Sequence, residues 1–488
     1  MLRVLLPVVG GILLAQYLSL PTLYLWSGIL LLGLASWRLS LRGGVVGTLF
    51  LLGWLAVEMR QDPIELPFEE PLALHLRIEE EPRLRPHGAS VTARLEGWRG
   101  ELMNRWISSE ALLIMHTDTS WLPRRGERLV AIQRLHLFSP TLPDYAELMF
   151  RRGYRGVVWL RGRDLIERDT TSIRQGWFER IHSEALHRLD RLTLSPEVRA
   201  VAEAMTVGER RGVTPALRTT YARSGTSHLL AVSGLHVGIL FWVAGFLLGG
   251  VRLLRHGHRW LNGLLILVVW GYALLTGGSP SVLRAAAMFS ALQIAQARSL
   301  HYNALNILFG VGAIMLVLNP DLLFDISFQL SFLAVLAILI ASKHGRIHTR
   351  IPGLQWLLGT LWIGWVSAIA TAPLVSLRFG LLAPIGLLAN PPAILLAEGI
   401  LLLSLGWILL PIPSLGPLFS SAIEGLGQCQ EWWLQWVSSL PYAAFDYTLP
   451  AWAVALIYLL FFLLTLWIWS LKPKKIGIFA ERKPNREV

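Results

Sequence analysis

Two serines and two histidines share one stretch apolar enough to enter a membrane, TSHLLAVSGLHVGIL, Thr226 to Leu240. Ser233 and His236 stand three apart, so on a helix they share a face. His228 and His236 stand eight apart and fall nearly on one line of a continuous helix. A serine beside a histidine raises nucleophilic catalysis first. The glycine two places before the serine of a GxSxG elbow is missing from AVSGLHV. Three-residue spacing on one helix also points both side chains roughly parallel, a poor arrangement for a nucleophile and its base. A metal site of His228, His236, His256 and His258 is weaker, because the last two fall in the basic loop RLLRHGHR. No metal motif and no cofactor is expected. Gly234 and Gly238 allow close approach of another backbone or a ligand.

Three further polar sets interrupt apolar runs. Arg284 lies a turn inside the run that opens Ser279-Pro280-Ser281. Proline suits a helix start, where free N–H groups attract anions, so Arg284 with Ser279 is a candidate phosphate contact. Asp325, Gln329 and Ser331 follow in DISFQLS, with Asp325 placed to cap its helix. Asn390 precedes Pro391 and Pro392, which predict a helix break in mid-membrane, and Glu398 lies beyond. Serines and glycines in such helices are commonly packing, and a single histidine is commonly a hydrogen bond between helices. Two histidines, an arginine, an aspartate and a glutamate in one bundle favour a polar path.

These residues need membrane helices to position them. The chain has 488 residues, 53% hydrophobic and 16% charged, with 21 tryptophans. That composition excludes a single soluble globule and fits a polytopic helical membrane protein. The lone Cys429 excludes an intrachain disulfide. Apolar runs near 4–20, 22–37 and 44–57, then 227–251, 260–276, 281–297, 303–318, 326–341, 354–377, 380–397, 399–413 and 450–471, predict about 12 spans. The first follows Arg3 without a small-residue cleavage site and is read as a retained helix. Basic loops at 38–42, 252–259, Arg298, 342–350 and 472–475 all fall on one side under this span list. The positive-inside rule makes that side cytoplasmic, with both termini. Residues 415–440 are amphipathic and rich in tryptophan, and predict an external interfacial helix resting on membrane lipids.

The segment between the two membrane parts differs in kind. From Glu58 to Gly225 it holds 26 arginines, no lysine and 24 acidic residues. Residues 66 to about 165 alternate at period two between turn signals, which predicts a small external β-barrel, the OB type being one that fits. Residues 172 to about 207 turn helical and amphipathic, one or two helices on the membrane surface or the barrel, broken at Ser195-Pro196. The divisions are 1–60 for the first helices, 61–170 for the barrel, 171–225 for a helical connector, 226–472 for a helical channel and 473–488 for a polar tail. Single-stranded nucleic acid is bound by basic grooves with aromatic platforms. The near-balanced charge requires any such surface to be local. WRGELMNRW and PRRGER supply Trp98, Arg99, Arg105 and Trp106, and Arg124, Arg125 and Arg128.

Several segments together resemble a known family. GTSHLLAVSGLHVGIL, GGSPSVLRAAAM and NPDLLFDISFQLSFLAVLAI are similar to the hallmark segments of ComEC competence proteins. SPTLPDYAELMFRRGYRGVVWL resembles the end of that family's external OB-like domain. The resemblance spans roughly residues 1 to 470. It implies a bacterial inner-membrane channel for single-stranded DNA in natural transformation, served by a periplasmic DNA receptor and a cytoplasmic motor or single-strand-binding protein. Many relatives continue into a metallo-β-lactamase-like domain, and this chain has no HxHxDH cluster. A nuclease, where needed, is therefore expected to be a separate protein. Three other readings stay open from the residues: an exporter or flippase of an anionic or lipid-linked solute, an intramembrane serine hydrolase, and a non-transporting scaffold.

Overall fold

The structure is a computed structural model. It describes residues 2–470 except 19, 40–41, 60–65, 69, 80–81, 86–87, 101–102, 104, 119–120, 125, 140–144, 147–148, 151–152, 170–176, 255, 299–302 and 345–351. Arg125 and the tail 473–488 therefore lie outside the described residues.

Period-two alternation becomes a closed barrel. The strands are β1 (Pro71–Ile78), β2 (Arg83–Arg85), β3 (Gly88–Gly100), β4 (Ile107–Ser108), β5 (Leu112–Thr117), β6 (Arg128–His136), β7 (Tyr154–Leu160) and β8 (Leu165–Asp169). Five of them close in the order β1–β3–β5–β7–β6–β1. β5 and β7 run parallel, and the other four pairs antiparallel. This is a five-stranded Greek-key barrel of OB-type connectivity. Alternate residues point inward, so Leu72, Leu74, Leu76, Leu95, Leu113, Met115, Leu129 and Val158 fill the interior. Each such buried side chain contributes roughly 1.5–3 kcal/mol. A bulge opposite His75 and Leu76 leaves Glu96 of β3 without a paired residue on β1, which bends β3 around the barrel.

The helices begin with α1 (Leu2–Ala15), α2 (Thr22–Leu39) and α3 (Arg42–Glu58). A Cβ at Gly11 would overlap the Phe50 carbonyl, and one at Gly53 the Val8 carbonyl. These glycines let α1 and α3 pack backbone to backbone.

The connector holds α4 (Trp177–Asp190), α5 (Pro196–Thr206) and α6 (Pro215–Arg223). Pro196 opens α5 as expected. The third helix is one more than expected. Thr214 caps it, accepting from Leu217 N at 3.2 Å, and Pro215 follows at the first position. All three pack against helices of the C-terminal half. Arg188 Nη1 donates to Ile408 O at 2.6 Å, Trp407 Nε1 to Arg188 O at 2.7 Å, and Tyr272 Oη to Met205 O at 3.1 Å.

The C-terminal half comprises α7 (Gly234–Leu247), α8 (Gly257–Leu275), α9 (Pro280–Ala297), α10 (Ala304–Leu318), α11 (Ile326–His344), α12 (Pro352–Phe379), α13 (Gly386–Leu409), α14 (Gly416–Ser439) and α15 (Ala451–Ser470). Among the described residues, Gly257–Leu275, Leu361–Phe379 and Gly386–Leu409 are long and apolar enough to cross a membrane; seven further apolar helices are shorter.

Two expectations are corrected here. Residues 227–251 are not one helix. Ser227–Leu230 form a 3₁₀ turn, Ala231 and Ser233 are extended, and α7 starts afresh at Gly234. His228 and His236 therefore do not share a helix face. The chain also does not break at Pro391 and Pro392, since α13 runs through both. Pro391 has no N–H to give the Leu387 carbonyl four residues back. Trp365 Nε1 on α12 donates to that carbonyl instead, at 3.2 Å, and the helix continues.

Candidate functional site

The break before α7 explains its serine and histidine. Ser233 Oγ accepts from His236 N–H at 3.3 Å, and Ser233 N–H donates to His236 Nδ1 at 3.3 Å. This reciprocal pair is a capping box with histidine in the place usually held by glutamate or glutamine. It satisfies two backbone donors at a helix start inside an apolar bundle, where no water would serve them. The serine faces the backbone N–H of His236, not a ring nitrogen. The pair therefore lacks the hydrogen bond that would activate a serine nucleophile.

The imidazole is 0% exposed. With Nδ1 accepting, its ring proton sits on Nε2. Nε2 points toward Glu398 of α13, 3.8 Å away, and has no hydrogen-bond partner. Glu398 is 6% exposed, and neither carboxylate oxygen has a partner. His228 differs. It is exposed, on the 3₁₀ turn before α7.

The start of α9 is tied to the same break. Ser281 Oγ donates to Val232 O at 2.6 Å, and Gly234 lies 3.6 Å from the Ala285 methyl when given a Cβ. Pro280 opens α9 as expected, and the Ser279 hydroxyl is buried without a partner. Arg284, one turn in, is 1% exposed. Its Nη2 donates to Ser327 O and Ser327 Oγ, both at 2.9 Å, and its guanidinium lies 5.9 Å from the Phe328 ring centre. Nε and Nη1 have no partner. Asp325 caps α11 by accepting from Phe328 N–H at 2.9 Å, within electrostatic reach of Arg284. Gln329 Nε2 donates to Leu323 O at 2.8 Å, which closes the turn before α11. Ser331 is half-buried on α11. Asn390 Oδ1, in the first turns of α13, is buried and unpartnered.

The structure thus brings His236, capped by Ser233, toward Glu398, and Arg284 onto Ser327 within reach of Asp325. A cation with two unused donors in an apolar core is an anion site by chemistry. Nε and Nη1 lie on different edges of the guanidinium, either side of the Nη2 that Ser327 holds, so each offers a separate single bond.

On the barrel, the picked residues divide. Trp98 is corrected: it is 7% exposed and belongs to the barrel core, so it offers no face to a base. Arg99 lies over the Trp106 ring at 5.1 Å, and His75 stacks on the same ring at 5.2 Å. Arg105 is exposed, while Arg128 pairs with Glu96 at 3.1 Å. Arg124 gives its backbone N–H to Glu127 Oε2 at 2.7 Å, which leaves its side chain exposed. One pair escaped the sequence: His116 on β5 and Trp159 on β7, ring centres 4.3 Å apart, with Trp159 58% exposed. Alternation puts both outward, but only the parallel β5–β7 register brings them together.

A competence protein family profile matches residues 205–472, more than half of the chain and all of the helices that carry these sites. The chain belongs to the ComEC-type competence protein family. It is 35% identical over 150 residues to ComE operon protein 3 of Bacillus subtilis, covering 31% of this chain and 19% of that protein. It is 31% identical over 195 residues to an uncharacterized protein of Aquifex aeolicus, covering 40% and 44%. It is 25% identical over 224 residues to Recombination protein 2 of Haemophilus influenzae, covering 43% and 28%. The chain thus spans less than half the length of these curated relatives. No solved structure matches. Family and apolar helices together make this competence protein a membrane protein.

Proposed function

We propose that this competence protein carries single-stranded DNA across the bacterial inner membrane during natural transformation. Arg284 carries the reading. It is a guanidinium buried within the family-matched helices, held by Ser327 through Nη2 and with Nε and Nη1 free on either side. A phosphate reaching it would take a charge-assisted bond from one of those donors. The barrel receives the strand outside the membrane, with Trp106–Arg99 and Trp159–His116 as stations on which bases stack. The connector helices, docked on α8, α13 and α14, couple barrel to channel.

In this reading the three long helices and the seven shorter apolar ones, ten among the described residues, cross the inner membrane, and the runs 380–397 and 399–413 supply one crossing, α13, where two were expected. The barrel is periplasmic and the N-terminus cytoplasmic. Partners are a periplasmic DNA receptor and a cytoplasmic motor or single-strand-binding protein.

The test is uptake of labelled DNA by a deletion strain with and without the restored protein, scoring cytoplasmic and periplasmic label separately. The expected result without the protein is label held in the periplasm. Normal cytoplasmic label in the deletion strain would overturn the reading. An unchanged DNA phenotype joined to accumulation of a lipid-linked solute would favour an exporter.

A further inference from the structure

We propose that Glu398, positioned by His236, is a proton-binding site in the helical core of this protein. The site holds for any cargo and goes beyond the DNA reading. Its basis is an uncompensated pair. Both oxygens of Glu398 and Nε2 of His236 are buried without hydrogen bonds, and they face each other at 3.8 Å, just outside bonding distance. An ionised carboxylate withdrawn from water needs a partner of its own, or it takes up a proton.

The capping box decides which member of the pair exchanges that proton. Nδ1 of His236 already accepts from the Ser233 N–H. A second proton on the ring would have to occupy Nδ1 and would break the start of α7. The exchangeable proton therefore goes to Glu398: one O–H bond forms at a carboxylate oxygen, the proton comes from water, and the site gains one positive charge. Nε2–H of His236 remains the donor facing the carboxyl group in both states.

The neighbouring groups are committed elsewhere. On α8, Tyr272 Oη donates to Met205 O. On α9, Arg284 bonds Ser327 through Nη2, and its free Nε and Nη1 make no bond to Glu398. On α4, the His182 ring bonds Leu275 O and Arg188 bonds Glu184 and Ile408 O. On α5, Glu203 faces Asp190 and Arg199. On α14, Gln430 donates to Ala393 O, Glu424 accepts from Ser195 N–H and Glu431 from Gln435. Arg378, near the end of α12, is exposed. The hydroxyls of Thr206 on α5, Ser279 before α9 and Ser404 on α13 and the amide oxygen of Asn390 on α13 are also buried and unpartnered, and none is ionisable in this range.

Access comes from His228. It is exposed and within electrostatic reach of His236. The order His228, His236, Glu398 leads from accessible space to the buried carboxyl group, the arrangement of proton-carrying histidine and carboxylate chains in membrane helices.

The test uses the purified full chain in lipid bilayers and infrared difference spectra between acid and alkaline buffer. No DNA is present, so failure here leaves the DNA reading standing, and the reverse also holds. The expected result is a protonated-carboxyl C=O band that appears in acid and is lost in Glu398→Gln. His236→Gln, which keeps an acceptor for the Ser233 N–H, is expected to shift the pH midpoint of that band. If Glu398→Gln does not fold, Glu398→Asp replaces it and is expected to move the band's frequency. An unchanged band in the folded Glu398 variant, or an unchanged midpoint in His236→Gln, would overturn the proposal.

Discussion

The barrel and the helical half treat buried charge in opposite ways. In the barrel, Glu127 is 0% exposed but fully engaged: Arg168 pairs with it, and the Arg124 N–H donates to it at 2.7 Å. Arg94 pairs with Glu79 at 2.7 Å, and Arg128 with Glu96. In the helices, Arg284, His236 and Glu398 are as deeply buried but keep donors and acceptors empty. A buried charge that is matched serves the fold. One that is left unmatched costs stability, so its retention points to a ligand that completes it. The arginines of the barrel are therefore poor guides to DNA, and its exposed aromatic rings are better ones.

Substitutions can break this contrast, beginning with the largest effect. Trp98→Ala empties part of the barrel core and is expected to cost about 3–5 kcal/mol, read by thermal unfolding of the full chain. Glu127→Ala leaves Arg168 and the Arg124 N–H without their acceptor. It is expected to cost about 3 kcal/mol, toward the low end for a buried pair because Arg168 reaches solvent. Trp159→Ala is expected to do the reverse of Trp98→Ala. Melting should stay within about 0.5 kcal/mol of the parent, while single-stranded oligonucleotide binding weakens by about 1–3 kcal/mol. Equal effects at the two tryptophans would show that the core and the outer face had been assigned wrongly.

Smaller effects sharpen the account of the helices. Trp365→Phe removes the indole N–H from the Leu387 carbonyl, and about 1 kcal/mol of stability should go with it. Ser233→Ala removes a cap and is expected to cost about 1 kcal/mol. It should not abolish labelling by a serine-directed probe, because the parent itself should not be labelled. Labelling lost in Ser233→Ala would restore the hydrolase reading.

Much of this architecture was legible in the sequence. Period-two alternation marked the barrel, and Pro196 and Pro280 marked two helix starts, because both signals are local. Thr214-Pro215 carried the same signal for α6 in a stretch too polar to draw notice. What escaped depends on tertiary partners. Nothing near Pro391 in sequence reveals that Trp365 will serve its lost hydrogen bond. Ser233 and His236 were visible as a pair, but hydrophobicity favoured a continuous helix over the capping box that interrupts it. Trp98 and Trp106 look alike in WRGELMNRW, and only the bulge in β3 and the barrel closure decide which of them faces inward. The His236–Glu398 approach joins α7 to α13 across 162 residues, and no local pattern reports it.

Arg284→Met offers the most direct measurement. It replaces an incompletely matched buried cation with an apolar side chain of similar length, so stability should stay within about 1 kcal/mol of the parent or rise. With protein levels matched in a deletion strain, cytoplasmic uptake of labelled DNA should fall at least tenfold while periplasmic label persists. Unaltered uptake in a folded Arg284→Met protein would contradict the account, and would leave Arg284 as a brace between α9 and α11.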